Sequence, residues 1–232
     1  TCALPICNYF EYRDLGVTEA TVNFLGYTFD HAPAPVMVLM PTLDSRDAWK
    51  AQKLNPLLQE TPVIRDLLGG QRSRDAANSK DLIDFPGGVL FLAGGNSPNS
   101  YAQRSVRYLI MDDLDRFPGE VGEEGDPVAL AKGRTKAFAR AKRLFISTPT
   151  VKGESLIERG HAESDQRRYF VPCPHCSYRQ WLRFEQLRWE KGQPDTAAYI
   201  CESCDESIAE HHKTWMLEHG EWRAMITDGA GK

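Results

Sequence analysis

Four cysteines in the last third of the sequence are arranged in two closely spaced pairs, CPHC over 173–176 and CESC over 201–204. Thiolates are soft donors that suit the tetrahedral preference of Zn²⁺, and a two-residue gap lets one tight turn direct two sulfurs to the same ion. The segment between the pairs, about two dozen residues, is compatible with intervening strands. We therefore predict one zinc ion bound by Cys173, Cys176, Cys201 and Cys204.

A redox dithiol and a set of unligated thiols are the alternatives, and a second CxxC pair favours metal over both. His175 is left out of the predicted ligand set because the middle of such a turn usually faces solvent. Four protein ligands leave no open coordination position, so the zinc should hold structure and should not catalyse. Cys2 and Cys7 belong to neither pair and are interpreted as buried or free thiols.

A second group of residues that could do chemistry follows the apolar stretch that ends at Met111. Asp112, Asp113 and Asp115 lie there, and ligands of open α/β sheets bind beyond the carboxyl ends of the strands. One carboxylate at such a position can hold Mg²⁺ through water, and the next can orient an attacking water. A solvated turn is the alternative, since the motif alone has moderate specificity.

Hydroxyl-bearing residues follow two other apolar stretches. STPT occupies 147–150, where hydroxyls could sense a γ-phosphate, and Thr42 follows the stretch 36–40 after one proline. Each motif alone is weak evidence for a nucleotide site, because hydroxyl-rich turns after strands are common. Three strand ends with compatible chemistry, in this order, indicate a nucleotide site more strongly.

Short apolar stretches bounded by turn residues or charges should position these side chains. The stretches 36–40, 89–93, 107–111 and 143–147 predict buried parallel strands. Helical spacing of apolar residues predicts a helix over 18–29, and 45–58 and 126–139 are long enough and polar enough on one side to be covering helices. This alternation predicts an α/β domain with a doubly wound, mainly parallel sheet.

The sequence changes character from Tyr169 onward, where cysteines and aromatic residues appear and the alternation with helices stops. A boundary near Asp165 follows, and residues 206–220 predict a closing helix that ends at Gly220. The expected organisation is an α/β domain over 1–165, a zinc ribbon with its closing helix over 166–224, and a tail over 225–232.

Composition bounds the class of protein. Of the 232 residues, 41% are hydrophobic and 26% charged, and no apolar run approaches the roughly 20 residues that span a bilayer. A net charge of −4 gives no overall attraction to polyanions. One stretch is locally basic and contains Arg134, Lys136, Arg140, Lys142 and Arg143. It is a candidate for contact with a polyanion, and it is equally well interpreted as a solvated helix face. Two CxxC pairs in a chain this long fit a reducing cytoplasm.

An ordered set of short motifs runs from Gly16 to Trp222. The set comprises GVTE at 16–19 with Asn23 and Gly26-Tyr27, Pro41-Thr42, FPGG at 85–88, Ser97-Pro98, DDLDR at 112–116, EGDP at 124–127, STPT at 147–150, DQR at 165–167, and the two CxxC pairs. In this order the motifs resemble the large terminase subunits of tailed phages, in the lambda-like (GpA) branch. In that family a P-loop-type ATPase drives double-stranded DNA into a capsid, and a separate nuclease domain cuts genome ends.

The resemblance implies a role for individual residues. Asp112 would hold Mg²⁺, Asp113 would stand where a glutamate usually activates water, and Thr148 would belong to the motif that couples hydrolysis to movement. Gly16 and Thr18 would fall in the phosphate loop. The implied cofactors are ATP, Mg²⁺ and structural zinc, and the implied partners are double-stranded DNA, the terminase small subunit and the portal of the procapsid, in the cytoplasm of a bacterial host.

Two positions depart from the family pattern. Val17 stands where a phosphate loop normally has lysine. Arg13 is the only cation in 8–15 and is therefore the predicted cationic contact to the phosphates. Thr42 is the remaining predicted nucleotide contact. Asp113 is one methylene shorter than glutamate and would hold the attacking water less closely. Deleting one electrostatic donor costs about 3 or 4 kcal/mol of transition-state stabilisation in comparable sites, so both changes should weaken hydrolysis.

Three functions fit these residues. The first is the ATPase region of a DNA-packaging motor, and the second is a degenerate, non-hydrolysing module that binds DNA or a partner protein. A helicase-like translocase is the third, although it would need a second α/β motor domain. Because the chain begins at Thr1 and no acidic cluster follows the second CxxC pair, we expect a fragment that lacks the nuclease domain.

Overall fold

The computed structural model describes residues 6–10, 17–69, 81–102 and 104–226, with 6–10 described as backbone only. The chain divides into two compact units, Thr1–His161 and Ala162–Lys232, each with its own sheet structure and core. The domain limits expected from the sequence, 1–165 and 166–224, stay predictions of where independently folding parts begin and end.

Six strands form the sheet of the first unit. They are β1 (Ile6–Phe10), β2 (Val36–Met40), β3 (Leu82–Phe85), β4 (Gly88–Gly94), β5 (Tyr108–Met111) and β6 (Lys142–Ser147). Their order is β1-β6-β5-β2-β4-β3, and every neighbouring pair is parallel except β3 and β4. The four predicted strands are confirmed, with limits that differ by one residue at most. The sequence did not predict β1 and β3, because ICNYF and LIDF lack the continuous apolar run of a strand buried on both faces.

Helices connect these strands. They are α1 (Val17–Asp30), α2 (Leu43–Trp49), α3 (Asn55–Glu60), α4 (Pro62–Gly69), α5 (Pro98–Tyr101), α6 (Pro127–Gly133) and α7 (Leu156–Ala162). The helix predicted over 18–29 is confirmed as α1.

The helix predicted over 45–58 is confirmed as a continuous helical stretch, but its middle is not a regular α-helix. The chain forms α2, then a π-helical turn over Lys50–Leu54, and then α3. Pro56 lies at the start of α3, where it has no backbone N–H to donate and its ring would clash with the carbonyl four residues earlier. A regular α-helix therefore cannot continue through this point, and the wider turn absorbs the mismatch.

The helix predicted over 126–139 begins as expected but ends early. Asp126 caps α6 by accepting hydrogen bonds from the backbone N–H groups of Val128 (2.6 Å) and Ala129 (3.2 Å). The helix stops at Gly133, a poor helix former, and the Thr135 hydroxyl donates to the Lys132 carbonyl at 2.8 Å. Residues 134–141 consequently form turns that lead into β6.

The sheet of the first unit is covered on both faces. All five residues of β2 are buried, and they alternate between two clusters, with Val38 in one and Leu39 in the other. The first cluster includes Leu25 of α1 and Ile64 of α4. The second includes side chains of α5, α6 and α7. The predicted doubly wound, mainly parallel α/β sheet is confirmed, and its burial on both faces explains why β2 is a continuous apolar run.

The second unit consists of two three-stranded antiparallel sheets and one short helix. Its elements are β7 (Arg168–Pro172), β8 (Arg179–Trp181), β9 (Leu187–Glu190), β10 (Gln193–Ile200), β11 (Ser207–Ile208), α8 (Lys213–Glu218) and β12 (Glu221–Arg223). The sheet orders are β12-β7-β8 and β11-β10-β9. Its core of buried residues is small: Val171, Cys173, Cys201, Ile208 and Met216.

The closing helix predicted over 206–220 is wrong in extent. Ser207 and Ile208 pair with the end of β10, a 3₁₀ turn follows over Glu210–His212, and only α8 is α-helical. Pairing with β10 uses the backbone groups that a longer helix would need, because this segment forms the second arm of a hairpin. Within the described residues, no helix is long and apolar enough to cross a membrane.

Candidate nucleotide and metal sites

The carboxyl ends of the five parallel strands lie at one edge of the sheet, because parallel strands all run in the same direction. Phe10 is paired with Ser147, Met111 with Phe145, and Leu39 with Met111. The residues that follow β5, β6 and β2 are therefore brought to this edge, as the sequence predicts. They include Asp112, Thr148 and Thr42.

Asp112 and Asp113 differ sharply in environment. Asp112 is only 6% exposed; its backbone N–H donates to the Leu39 carbonyl at 3.2 Å and its Oδ1 accepts from the Asp113 N–H at 3.0 Å. Asp113 is exposed and has a left-handed backbone, with φ of 55°. This conformation is uncommon outside glycine and favours Asp and Asn among the rest. The turn thus buries one carboxyl and presents the next to solvent.

Asp115, the third acid of the group, has both carboxylate oxygens occupied by other segments of the chain. Oδ2 accepts from the backbone N–H of Thr150 at 3.0 Å and from its hydroxyl at 3.3 Å, while Oδ1 accepts from the Ile157 N–H at 2.9 Å. The sequence grouped Asp115 with its neighbours and gave it no separate role. The only signal in the sequence was its position within DDLDR.

The two predicted threonines have different local roles. Thr148 is half-buried, and its carbonyl accepts from the Ser147 hydroxyl at 3.2 Å. Thr42 is the N-cap of α2: its Oγ1 accepts from the Ser45 N–H at 3.1 Å, and Ser45 Oγ accepts from the Thr42 N–H at 3.0 Å. This reciprocal capping box accounts for the Thr42 hydroxyl without a nucleotide.

The predicted phosphate loop falls between β1 and α1. Gly16 and Arg13 lie outside the described residues. Val17 is the first residue of α1 and Thr18 the second, both half-buried. A helix that starts after a strand presents backbone N–H groups at its amino end, which favours anions. Val17 adds no charge to that end.

The four cysteines of the CxxC pairs come together, as the predicted zinc site requires. Their sulfur atoms all lie within 4.8 Å of one another, with 3.9 Å between Cys173 and Cys204 and 3.7 Å between Cys176 and Cys201. A tetrahedral ion with metal–sulfur bonds of about 2.3 Å requires sulfurs about 3.8 Å apart. The set can therefore hold one metal ion with four thiolates.

Both CxxC turns have the same hydrogen bonds. In each, the backbone N–H two residues after the first cysteine donates to its sulfur at 3.4 Å. The residue after the second cysteine has a left-handed backbone, with φ of 62° at Ser177 and 57° at Asp205, and its N–H donates to the carbonyl of the first cysteine. The repetition shows two equivalent knuckles that direct their sulfurs to a common point.

The knuckle hydrogen bonds also affect the thiols. Burial raises the pKa of Cys173, whereas backbone N–H groups of Cys204 and Ser203, together with the thiols of Cys173 and Cys204, outweigh burial at Cys201 and lower its pKa to about 7. A lower pKa favours the thiolate, the form that binds metal. His175 lies apart from the ligand set, since its Nε2 is 3.2 Å from the Ser207 carbonyl oxygen.

Comparison with known proteins gives the family. The sequence model of the phage terminase large subunit gpA, ATPase domain, matches residues 11–222. The chain belongs to this family.

Two terminase relatives support the assignment. The large terminase subunit of Enterobacteria phage P21 is 29% identical over 231 residues, covering 93% of this chain and 36% of the relative. That of Escherichia phage lambda is 27% identical over 205 residues, covering 84% and 32% respectively. The chain thus spans about a third of the length of these terminase relatives.

One solved terminase structure shares the fold. The crystal structure of the HK97 bacteriophage large terminase matches with a TM-score of 0.55 and 12% identity, over 68% of this chain and 32% of that one. At this identity the likeness shows the fold alone.

The basic stretch of this terminase chain is only partly a surface feature. Arg143 Nε donates to the Thr135 hydroxyl at 2.7 Å, and Arg134 Nε is buried. Lys136 and Arg140 are exposed. The fold therefore directs some of the predicted charge inward.

A cleft of about 480 Å³ lies at the amino edge of the sheet, opposite the edge with Asp112. Its lining residues, which come just before β2, β4, β5 and β6, are Pro33, Ala34, Pro35, Gly87, Arg107, Phe138, Ala139 and Arg140. None of them is acidic. Among the described residues, neither Arg107 nor Arg140 forms an ion pair, so the cleft carries two uncompensated positive charges. The sequence did not associate Arg107 with the basic stretch.

Proposed function

We propose that this chain is the ATPase region of a viral DNA-packaging terminase large subunit, in which ATP hydrolysis drives double-stranded DNA into a capsid. Family membership supports the ATPase and the packaging role. The observation that carries the proposal for this chain is the common edge of parallel strands shared by Asp112, Asp113 and Thr148. Ligands of open α/β sheets bind at that edge.

The proposed site assigns different work to the two acids. Asp112 would hold Mg²⁺ through water, consistent with its fixed position, and the exposed Asp113 would orient the attacking water. Thr148 would sense the γ-phosphate and couple hydrolysis to movement. Gly16, Thr18 and Arg13 would contact the phosphates, and Mg²⁺ would neutralise charge that develops on the transferred group. Thr42 is the weakest member, because α2 already uses its hydroxyl.

Measurement of DNA-stimulated ATP hydrolysis tests this function. Asp112→Asn should lower the rate by about 100-fold or more, because it weakens an electrostatic contact made in the transition state. Asp195→Asn, which changes an exposed aspartate in the β9–β10 hairpin, is the matched control and should hydrolyse ATP at the wild-type rate. Equal rates in wild type and Asp112→Asn would refute the proposal.

A degenerate module that binds without hydrolysing is the second candidate, and Val17 is the observation that favours it. The first turn of α1 lacks the lysine that would attract the β- and γ-phosphates. In this alternative the chain binds DNA or a partner protein and makes no use of ATP.

The four cysteines support a structural zinc ion in the second unit. Four thiolates at tetrahedral spacing match zinc better than hard cations such as Mg²⁺, which prefer oxygen. Because all four positions are taken by protein, zinc would stabilise Tyr169 to Trp222 and leave the chemistry at Asp112 unaffected.

DNA contact is proposed at the amino-edge cleft. Arg107 and Arg140 could each donate several hydrogen bonds to a phosphate, and exposed Lys136 adds charge nearby in sequence. This assignment separates the DNA contact from the nucleotide edge, on the opposite side of the same sheet. The terminase small subunit and the portal are further proposed partners, in the cytoplasm of the bacterial host.

A further inference from the structure

At the nucleotide edge, Asp115 connects the ends of β5 and β6 through its backbone as well as through its carboxylate. Its backbone N–H donates to the Ser147 hydroxyl at 3.0 Å, and that hydroxyl also contacts the Thr148 carbonyl. Ser147 is the last residue of β6 and is buried. The turn after β5 is therefore bonded directly to the segment that contains Thr148.

The carboxylate extends this connection over the whole segment after β6. Oδ2 holds Thr150, two residues beyond Thr148, and Oδ1 holds the N–H of Ile157 in the first turn of α7. Residues 148–155 form no helix or strand, and these bonds hold this irregular segment at Thr150 and the helix that follows it at Ile157. We name residues 148–155 the coupling segment.

Asp115 and Asp113 are also joined by one short turn. Asp113 is the N-cap of the 3₁₀ turn Leu114–Arg116, and Asp115 lies inside that turn. Within so tight a turn, a shift of Asp113 moves Asp115 as well, because few backbone angles separate them. Both oxygens of the Asp115 carboxylate already accept hydrogen bonds from other segments of the chain.

We propose that Asp115 is the positioning residue that links the acids after β5 to the coupling segment after β6. In this role it holds Thr148 in register with Asp112 and Asp113, so that a change at the nucleotide reaches the start of α7 through hydrogen bonds. The proposal rests on the proposed ATPase function. It differs from a purely structural role because it requires the order of the coupling segment to depend on nucleotide.

Hydrogen exchange tests the link without relying on activity. Asp115→Asn keeps the shape of the side chain but turns an amide N–H₂ toward one of the donors, so exchange at Thr150 and Ile157 should rise by about tenfold or more. Glu154→Gln, an exposed acid within the coupling segment, is the matched control and should exchange like wild type. Unchanged exchange in Asp115→Asn would overturn the proposal.

Kinetics separates positioning from general damage. Asp115→Asn should lower kcat for ATP by about tenfold, while KM and the affinity for a non-hydrolysable ATP analogue change by less than about threefold. A parallel loss of affinity and kcat would indicate a merely structural residue and would count against the link. An unchanged kcat would also count against the link.

Exchange with bound nucleotide distinguishes failure of this proposal from failure of the proposed function. If wild type and Asp112→Asn hydrolyse ATP equally slowly, the ATPase assignment fails. The link then requires that the ATP analogue with Mg²⁺ protect the coupling segment in wild type and not in Asp115→Asn. A wild-type segment that does not respond to the analogue would overturn the link.

Discussion

Three aspartates within four positions have three different environments. Asp112 is buried and held by neighbouring backbone, Asp113 is exposed in a left-handed conformation, and Asp115 is bonded to Thr150 and Ile157. Residue type alone could not separate them, since each is a carboxylate after a strand. Their partners separate them, and those partners lie on β2, on the coupling segment and on α7.

Val17 is the residue whose replacement best distinguishes an active from a degenerate ATPase. Val17→Lys should raise the affinity for Mg²⁺-ATP by about tenfold or more, because a charge-assisted hydrogen bond to phosphate contributes about 1.5 to 3 kcal/mol. Calorimetric titration would measure the gain. Val17→Gln, which adds length without charge, should give little of this gain in affinity.

Equal affinities for the lysine and glutamine variants would show that charge at this position is not the missing component. A gain in binding with no hydrolysis would favour the degenerate module. A gain in both nucleotide binding and hydrolysis would indicate that Asp113 supports catalysis despite its shorter side chain.

At the scale of elements, the two knuckles and the strands around them form the least self-sufficient part of the chain. The second unit buries few apolar side chains, and two of its five core residues are the proposed ligands Cys173 and Cys201. A core of this size cannot offset the conformational entropy of about 60 residues unaided. Its stability should therefore depend on the metal.

Zinc removal should selectively unfold the second unit. Metal analysis of natively purified protein should give one zinc per chain. Cys176→Ser or a strong chelator should lower the melting temperature of this unit by about 10 °C or more, because metal binding contributes directly to folding. Cys2→Ser, at a cysteine outside both pairs, should have no such effect. Protein that contains no zinc and melts at the same temperature with chelator would contradict the assignment.

At the scale of the whole molecule, the parallel sheet of the first unit separates the two proposed sites. Its carboxyl edge carries the acids and Thr148, and its amino edge carries Arg107 and Arg140. Strands of five residues keep the two edges about 16 Å apart. Movement of the coupling segment would therefore have to be transmitted through the sheet or its covering helices to influence DNA at the cleft.

Salt dependence of DNA binding tests the cleft. If Arg107 and Arg140 each contact a phosphate, Arg107→Gln with Arg140→Gln should weaken binding to double-stranded DNA of any sequence and reduce the slope of log affinity against log salt by about two. Arg65→Gln, at an exposed arginine of α4, should leave the slope unchanged. An unaltered slope in the double variant would exclude the cleft as the contact.

The sequence alone determined the features that depend on local pattern. Nearly continuous apolar runs identified four strands within one residue, because strands buried on both faces are mostly apolar. The CxxC spacing identified the four cysteines that come together, because each knuckle is a single tight turn. The ordered motifs identified the family that the comparison with known proteins confirms.

The tertiary structure decided everything that joins segments distant in the chain. Asp115 contacts Ser147, Thr150 and Ile157 only because β5 and β6 are neighbours. Arg107 and Arg140 line the same cleft only because those strands begin at the same edge. The hydrogen bond from Arg143 to Thr135 likewise depends on where α6 ends. Such contacts arise from strand order and packing, which no local pattern of residues encodes.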